Sequence, residues 1–522
     1  MSDERPLSLR EAIEMALANN KDIEVSRQNV KMAEFDLTGA RGAYDPKFSS
    51  LSYYERTTTP SSSFLSSGPN GATTQSDITG TTRIEGLSPK FGGNYRFDFS
   101  AIRSTTDNTF TALNPTFPTA FTFSYTQPLV RGLRIDQPRR QTEIAKKNLS
   151  LTDTQFRQRA IETITNVQRS YWDLVFALRN LQIQQEAVRD ARTQLEHNKR
   201  LVAEGMLAPI DVVAAEAQVS GFEQTVYSAL EDVARAENYL KGLIAENRQG
   251  KIWQQSLLPI DPVDLQPPSI ALEDAMTTAL QNRPEIQLST VNNEINQIDQ
   301  KFFRDQTKPQ VDLIGSYGVS GLAGTVVPGI NPLTASSLLL AQRVNDLSTL
   351  NGLQPLPPTV TNPMSPNVIG GLGQSIQDLL ANRYNNFRVG VQINLPIRNR
   401  TAEAQLGRSL VVGQQIQTQR EQLEESIQID VRNSLQVVRT SQSRLRSAAV
   451  ARSASEQQYS SEQRKFDAGQ STLFLVLERQ TALTTAKGNE LRAQTDLNKS
   501  IADLQRATGN ALQANNVVAH VR

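Results

Sequence analysis

His197 and His520 are the only two histidines in 522 residues, and the chain contains no cysteine. Neither imidazole stands at a ligand spacing from another metal-binding side chain, and there is no thiol to act as nucleophile, zinc ligand or disulfide partner. The glycines punctuate strand-like and turn-like stretches without forming a phosphate cradle or a nucleophile elbow. No catalytic, cofactor-binding or metal-binding set is expected, so the chain does not read as an enzyme. The two runs that do stand out are Arg200-Leu201-Val202-Ala203-Glu204-Gly205-Met206-Leu207-Ala208-Pro209-Ile210-Asp211-Val212 and Arg464-Lys465-Phe466-Asp467-Ala468-Gly469-Gln470-Ser471-Thr472-Leu473. In each, one apolar repeat stops at a glycine and another starts. Glycine suits the left-handed position that ends a helix, and Pro209 suits the first turn of the next one. Both runs read as tips of helical hairpins.

The elements that carry these tips are unusually long. Val167, Leu174, Leu181, Val188, Leu195 and Val202 recur every seven residues, with Ala160, Ile164, Tyr171 and Leu178 on the companion seam. After Gly205 the rows are Val212, Val219, Val226, Val233, Leu240 and Ala215, Phe222, Ala229, Ala236, Leu243. Sustained heptads impose left-handed supercoiling on neighbouring helices. A helix from about 139 to 204 holds roughly 65 residues and spans on the order of 100 Å. The second such region is looser. Val431, Val438, Leu445, Tyr459 and Phe466 form one row, interrupted by Arg452, beside the small Ser434, Ser441, Ala448 and Ser455.

The plan occurs twice. Leu9, Ala12, Ala16, Leu17, Asn19 and Ile23 correspond to Leu272, Ala275, Ala279, Leu280, Asn282 and Ile286 at a constant offset of 263. Pro46 meets Pro309 at the same offset, and Gly205 corresponds to Gly469 downstream. A repeated order of elements is read before anything else because it fixes the architecture. The first repeat covers 1–262, with short helices, strands at about 46–128 and a long hairpin at about 139–247. The second covers 263–522, with short helices, strands at about 309–396 and a hairpin at about 400–510.

The strands alternate. Tyr95, Phe97, Phe99 and Ala101 interleave with Arg96, Asp98, Ser100 and Ile102, and Phe121, Phe123 and Tyr125 with Thr122, Ser124 and Thr126. Phe387, Val389, Val391, Ile393 and Leu395 interleave with Arg388, Gly390, Gln392 and Asn394. The stretch from Val311 to Val319 behaves likewise. Such a dyad suits a barrel wall with lipid on one side and water on the other, or a half-buried soluble sheet. Charge on one face and aromatics on the other favour the barrel. A hairpin near 79–103, turning at 88–93, would enlarge that barrel or pack outside it. The tracts 57–77 and 321–382, rich in Ser, Thr, Gly and Pro, read as loops.

Bulk composition narrows the class further. Lys+Arg (54) balance Asp+Glu (53), so nothing calls for a nucleic-acid groove. No window reaches the ~20 apolar residues of a membrane helix, so any span must be a closed barrel. The start, Met1 to Pro6, lacks the features of a secretory signal. A signal peptide is therefore expected to be absent from this chain.

With these residues in view, nearly the whole chain resembles the TolC-like outer-membrane efflux proteins. The likeness rests on the duplicated Leu-x-x-Ala-x-x-x-Ala-Leu opening, on Tyr171-Trp172, and on the two tips. It implies an α+β membrane protein with a duplicated helix-strand-helix plan. Three protomers would share a transmembrane β-barrel continued by a long α-helical coiled-coil barrel. It implies location in the bacterial outer membrane, in contact with its lipid and reaching into the periplasm. The expected role is a passive exit duct of a tripartite efflux or type I secretion system. The partners implied are a periplasmic adaptor (membrane fusion) protein, docked at Gly205, Pro209, Gly469 and Ser471, and an inner-membrane pump that supplies the energy. Asp211 and Glu478 fall on the family's acidic positions at the periplasmic gate. Three copies of either would attract cations at a constriction. The blander reading of Asp211 is a carboxylate favoured by a helix N-terminal dipole, and of Glu478 a solvated helix-face acid. This chain departs from the best-known tip at Phe466, Ser471 and Leu475, so its latch is expected to differ. The rival reading is a coiled-coil structural or adhesive surface protein with a barrel anchor. Conduction separates the two.

Overall fold

The computed structural model describes residues 4–60, 71–263, 266–267, 269–328, 332–357 and 364–517. In chain order the elements are β1 (Glu4–Leu7), α1 (Leu9–Asn19), α2 (Lys21–Arg41), β2 (Lys47–Pro60), β3 (Ala72–Leu87), β4 (Asn94–Thr106) and β5 (Leu113–Pro128). There follow α3 (Gln137–Ala203), α4 (Pro209–Ile244), β6 (Ser256–Pro259), α5 (Leu272–Asn282), α6 (Pro284–Gln306), β7 (Gln310–Val326) and α7 (Pro332–Leu350). The chain ends with α8 (Leu372–Leu380), β8 (Tyr384–Asn394), α9 (Arg400–Asp467), α10 (Leu473–Ala507) and α11 (Ala511–Ala514). These elements fall into two compact units. One comprises Met1–Leu37, Ala145–Gln297 and Val411–Arg522, and the other Thr38–Ile144 and Ile298–Leu410. Both halves of the sequence contribute to each unit.

In the helical unit the repeated opening has a packing reason. Ala12 and Ala16 on α1 are 0% and 1% exposed, and Ala275 and Ala279 on α5 are 1% and 0% exposed. The two small side chains of each copy let a short helix lie close on a long one. Around α1 the core gathers Leu7, Ile13, Ile164, Val167, Tyr171, Trp172, Leu174, Leu240 and Ile244. Around α5 it gathers Ile286, Ile427, Val431 and Ala507. Each large apolar side chain so buried contributes roughly 1.5–3 kcal/mol. Ser8 caps α1 by accepting from the Glu11 N–H at 3.1 Å, and Asp261 Oδ2 accepts from the Leu9 N–H at 2.7 Å. Asp261 also receives the Tyr171 hydroxyl at 2.5 Å, beside the parallel pair β1–β6. The heptad row of α9 breaks at Arg452 because that guanidinium binds Glu490 at 2.9 Å and Glu456 at 2.7 Å.

The second unit is built on one six-stranded antiparallel sheet in the order β2-β3-β4-β5-β7-β8. Its register gathers like with like across every strand. Phe48, Ile84, Phe97, Phe123, Tyr317 and Phe387 form a single cross-strand row. Except for Arg56 and Arg103 near the strand ends, alternation puts the charged residues on the opposite face. There Lys47 lies across from Glu85, Glu85 from Arg96, and Ser316 from Arg388. Asp98 binds Arg83 at 2.6 Å and Arg96 at 2.7 Å. The outer strands β2 and β8 pair on one side only and are exposed along their whole length.

Two expectations about loops are corrected. The tract 57–77 is strand up to Pro60 and again from Ala72, with Thr57, Thr58 and Thr59 opposite Gln75, Thr74 and Thr73. The β-branched threonines pack well on a pleated surface, and that outweighs a loop-like composition. Residues 61–70 lie outside the described residues. The tract 321–382 is likewise structured over much of its described part, residues 329–331 and 358–363 lying outside the described residues. β7 continues to Val326, and α7 and α8 follow, their leucines at helical spacing being hidden in a Pro- and Gly-rich average. The hairpin expected near 79–103 is β3–β4, which is longer than its sequence signal and lies within the sheet between β2 and β5.

Candidate functional site

The two glycine turns close in the same way. Gly205 has φ +74° and Gly469 φ +73°. At the first turn the Gly205 N–H donates to Val202 O at 3.0 Å and the Met206 N–H to Leu201 O at 2.9 Å. At the second turn the Gly469 N–H donates to Phe466 O at 2.9 Å and the Gln470 N–H to Lys465 O at 2.8 Å. This pair of bonds satisfies the last carbonyls of α3 and α9, and a residue with a Cβ would strain either position. Pro209 is the first residue of α4, where its missing N–H is no loss, and Asp211 lies in the same first turn.

Below the turns the two hairpins pack on each other. Ala215, Phe466, Leu473 and Val476 form a buried cluster flanked by Leu201, Leu207 and Tyr459. Burial, then the nearby Asp190 and Asp467, push the Tyr459 hydroxyl above its ordinary pKa. Ser471 donates its hydroxyl to Glu462. That hydrogen bond, assisted by Lys465, holds the Glu462 carboxyl below the usual range. Ser471 is thus a turn-bracing residue that links the start of the second tip to the last turns of α9.

Asp211 is half-buried and Glu478 exposed. Among the described residues no hydrogen bond or ion pair joins them. Glu478 lines a groove of about 1020 Å³ with Gln218, Phe474, Leu477 and Arg492. Gln218 Nε2 donates to Thr481 Oγ1 at 2.8 Å along this groove, a tie between α4 and α10.

A polar layer near the tips was not anticipated from sequence. Gln463 on α9 donates from Nε2 to Gln194 Oε1 on α3 at 3.1 Å, and Gln194 Nε2 donates to Asn198 Oδ1 at 2.9 Å. Gln194 and Asn198 are buried, as is Gln480 on α10. Neither amide atom of Gln480 has a partner among the described residues. A signal existed in the stripe Ala187, Ala191, Gln194 and Asn198, a second helical face beside the heptad rows. The apolar rows masked it.

Residues 96–246 match the family model described as outer membrane efflux protein. No curated protein sequence matches the chain. Solved structures share its fold almost end to end. One is a membrane protein from Pseudomonas aeruginosa, 15% identical, covering 96% of this chain and 90% of that one at TM-score 0.65. Another is the Campylobacter jejuni CmeC outer membrane channel, 14% identical, covering 98% and 90% at TM-score 0.62. A third is the outer membrane protein VceC from Vibrio cholerae, 14% identical, covering 96% of each chain at TM-score 0.62.

Proposed function

We propose that this chain, of the outer membrane efflux protein type by its family match and its fold, is one protomer of a trimeric outer-membrane exit duct. The single observation that carries this reading is the sheet. Six antiparallel strands present one aromatic face and one charged face, and end in two long unpaired edges. Exposed edges of that length invite pairing with another strand. Joining β8 of one copy to β2 of the next around three copies closes an even-numbered barrel of eighteen strands, in keeping with bacterial outer-membrane barrels. The aromatic face then meets lipid and the charged face lines water. The hairpin β3–β4 widens the barrel wall.

The helical hairpins are assigned to the periplasm. Their tips carry the same turn twice per chain, which gives six similar ends per trimer. These ends are suited to receive the hairpins of a periplasmic adaptor, coiled coil on coiled coil. An inner-membrane pump supplies the energy and the duct is passive. Asp211 and Glu478 form rings of like charge near the constriction and attract cations. The gate is held by the glutamine layer, which ties α9 to α3.

Single-channel recording from the detergent-purified protein in planar bilayers tests the reading, with Glu478→Ala and Asp211→Ala beside the wild type. Small cation-selective steps that change in a variant are expected. A protein that needs no detergent and forms no channel overturns the proposal in favour of a coiled-coil scaffold.

A further inference from the structure

The helix α8 lies on the aromatic face of the sheet, and it lies there the wrong way round for a surface that meets water. Its two smallest polar side chains point inward, Ser375 and Asp378 being both 0% exposed, while Gln374 is half-buried and Gln377 exposed. Ser375 shares a hydrogen bond with Thr119 at 2.8 Å, Asp378 accepts from Arg383 at 2.9 Å, and Tyr317 donates to Asn382 just past the helix at 2.7 Å. The apolar edge is left outside, with Leu380 79% and Leu372 40% exposed. Ile376 and Leu379, at helical spacing from them, are half-buried.

The seat under the helix is formed by two small residues on β5 and β7, Thr119 and Gly321, which end a cross-strand row of small residues that runs on through Ala101, Gly80 and Ser52. A Cβ on Gly321 would stand 2.0 Å from the Ser375 carbonyl oxygen, so only glycine admits this approach. Alternation puts this row on the same face as Phe97, Phe123 and Tyr317.

In water an amphipathic helix buries its leucines and shows its polar face. In hydrocarbon the preference reverses, because polar groups must be satisfied within the protein and apolar edges are at home in the solvent. Lipid is the one surrounding that suits both the aromatic row and the outward leucines of α8. We infer that α8 is a lipid-contacting brace on the outside of the barrel wall, its Leu372–Leu380 edge set among acyl chains of the membrane. The inference rests on the barrel reading above. Upstream, α7 also carries exposed Leu339, Leu340 and Leu347.

The absence of cysteine makes a clean test, since a single introduced thiol is the only one in the chain. Nitroxide labels would be placed singly at Leu380→Cys, Leu372→Cys, Phe387→Cys and Arg388→Cys in the full-length protein in proteoliposomes. Collision with oxygen, which partitions into lipid, is compared with collision with a water-soluble nickel chelate. Labels at Leu380, Leu372 and Phe387 are expected to favour oxygen, and the label at Arg388 the chelate. A lipid signature at Phe387 with a water signature at both leucines overturns the brace and leaves the barrel intact. Leucine labels shielded from both reagents also overturn it, because another protein surface then covers α8. A water signature at Phe387 overturns the barrel reading and the brace together.

Discussion

Gln463 of α9 donates its amide to Gln194 of α3 at 3.1 Å, near the turns at Gly205 and Gly469. Gln194 is 6% exposed, so its acceptor oxygen has no ready access to water. The bond ties the second hairpin to the first near both turns, the level proposed above for the gate. Replacing Gln463 by Ala leaves that acceptor without its partner, at a cost of about 1–3 kcal/mol. We expect Gln463→Ala to lower stability to denaturant and to lengthen channel openings. A double-mutant cycle with Gln194→Ala measures the coupling. Strictly additive effects would refute the tie.

Phe387 occupies the β8 position of the aromatic row, opposite Tyr317. An arginine there would face hydrocarbon in the barrel reading, at about 2–4 kcal/mol near the bilayer midplane. Phe387→Arg is therefore expected to fold poorly into lipid vesicles. Arg388→Ala, one residue on and on the other face, is expected to insert normally and alter conductance. Equal insertion of Phe387→Arg and wild type would contradict the assignment of the two faces.

Ser471 holds the Glu462 carboxyl below its usual pKa through its hydrogen bond, with Lys465 assisting. A carboxyl depressed in the folded state stabilises that state above its unfolded pKa, and the benefit fades as pH falls through the folded value. Ser471→Ala removes the largest cause. The stability advantage of wild type over Ser471→Ala is expected near neutral pH and should vanish in acid. Parallel denaturation curves across that range check it. A difference that persists unchanged at low pH rules the carboxyl out as its source.

The Tyr171 hydroxyl is buried and bonded to Asp261, and burial followed by that hydrogen bond raises its pKa well above 10.0. Tyr171→Phe deprives a carboxylate of a donor and is expected to cost about 1.5–3 kcal/mol. A raised tyrosine pKa gives stability that is complete below the unfolded value and is lost as pH rises toward the folded one. Wild type should therefore lose stability above pH ~10, while Tyr171→Phe loses less over the same range. Alkaline unfolding followed by circular dichroism reads both effects. Identical alkaline slopes would remove Tyr171 as the titrating group.

Much of the architecture is carried by local signals. The heptad rows mark α3 and α4, because a helix packed along its length needs an apolar residue at every second turn. Ala12, Ala16, Ala275 and Ala279 mark the short helices of both copies, because only small side chains allow that close approach. Gly205 and Gly469 mark the turns, because their positive φ excludes most other residues. Alternation marks β4, β5, β7 and β8. Composition misled where it was averaged: the threonines of β2 and β3 and the leucines of α7 were hidden among serines, glycines and prolines.

The sequence by itself determined the periods, the turns and the duplicated order, since each depends on residues close together in the chain. Only the tertiary structure decided what depends on residues far apart. The six-strand order places β3–β4 inside the sheet, and the register lines Phe48 up with Phe387 across it. The Gln194–Gln463 tie joins residues 269 positions apart, and the Thr119–Ser375 bond residues 256 apart. A polar side chain on a helix gives no local sign of whether it faces water or a partner. The face of α8 was likewise settled by Thr119 and Gly321 beneath it, which come from two strands far apart in the chain.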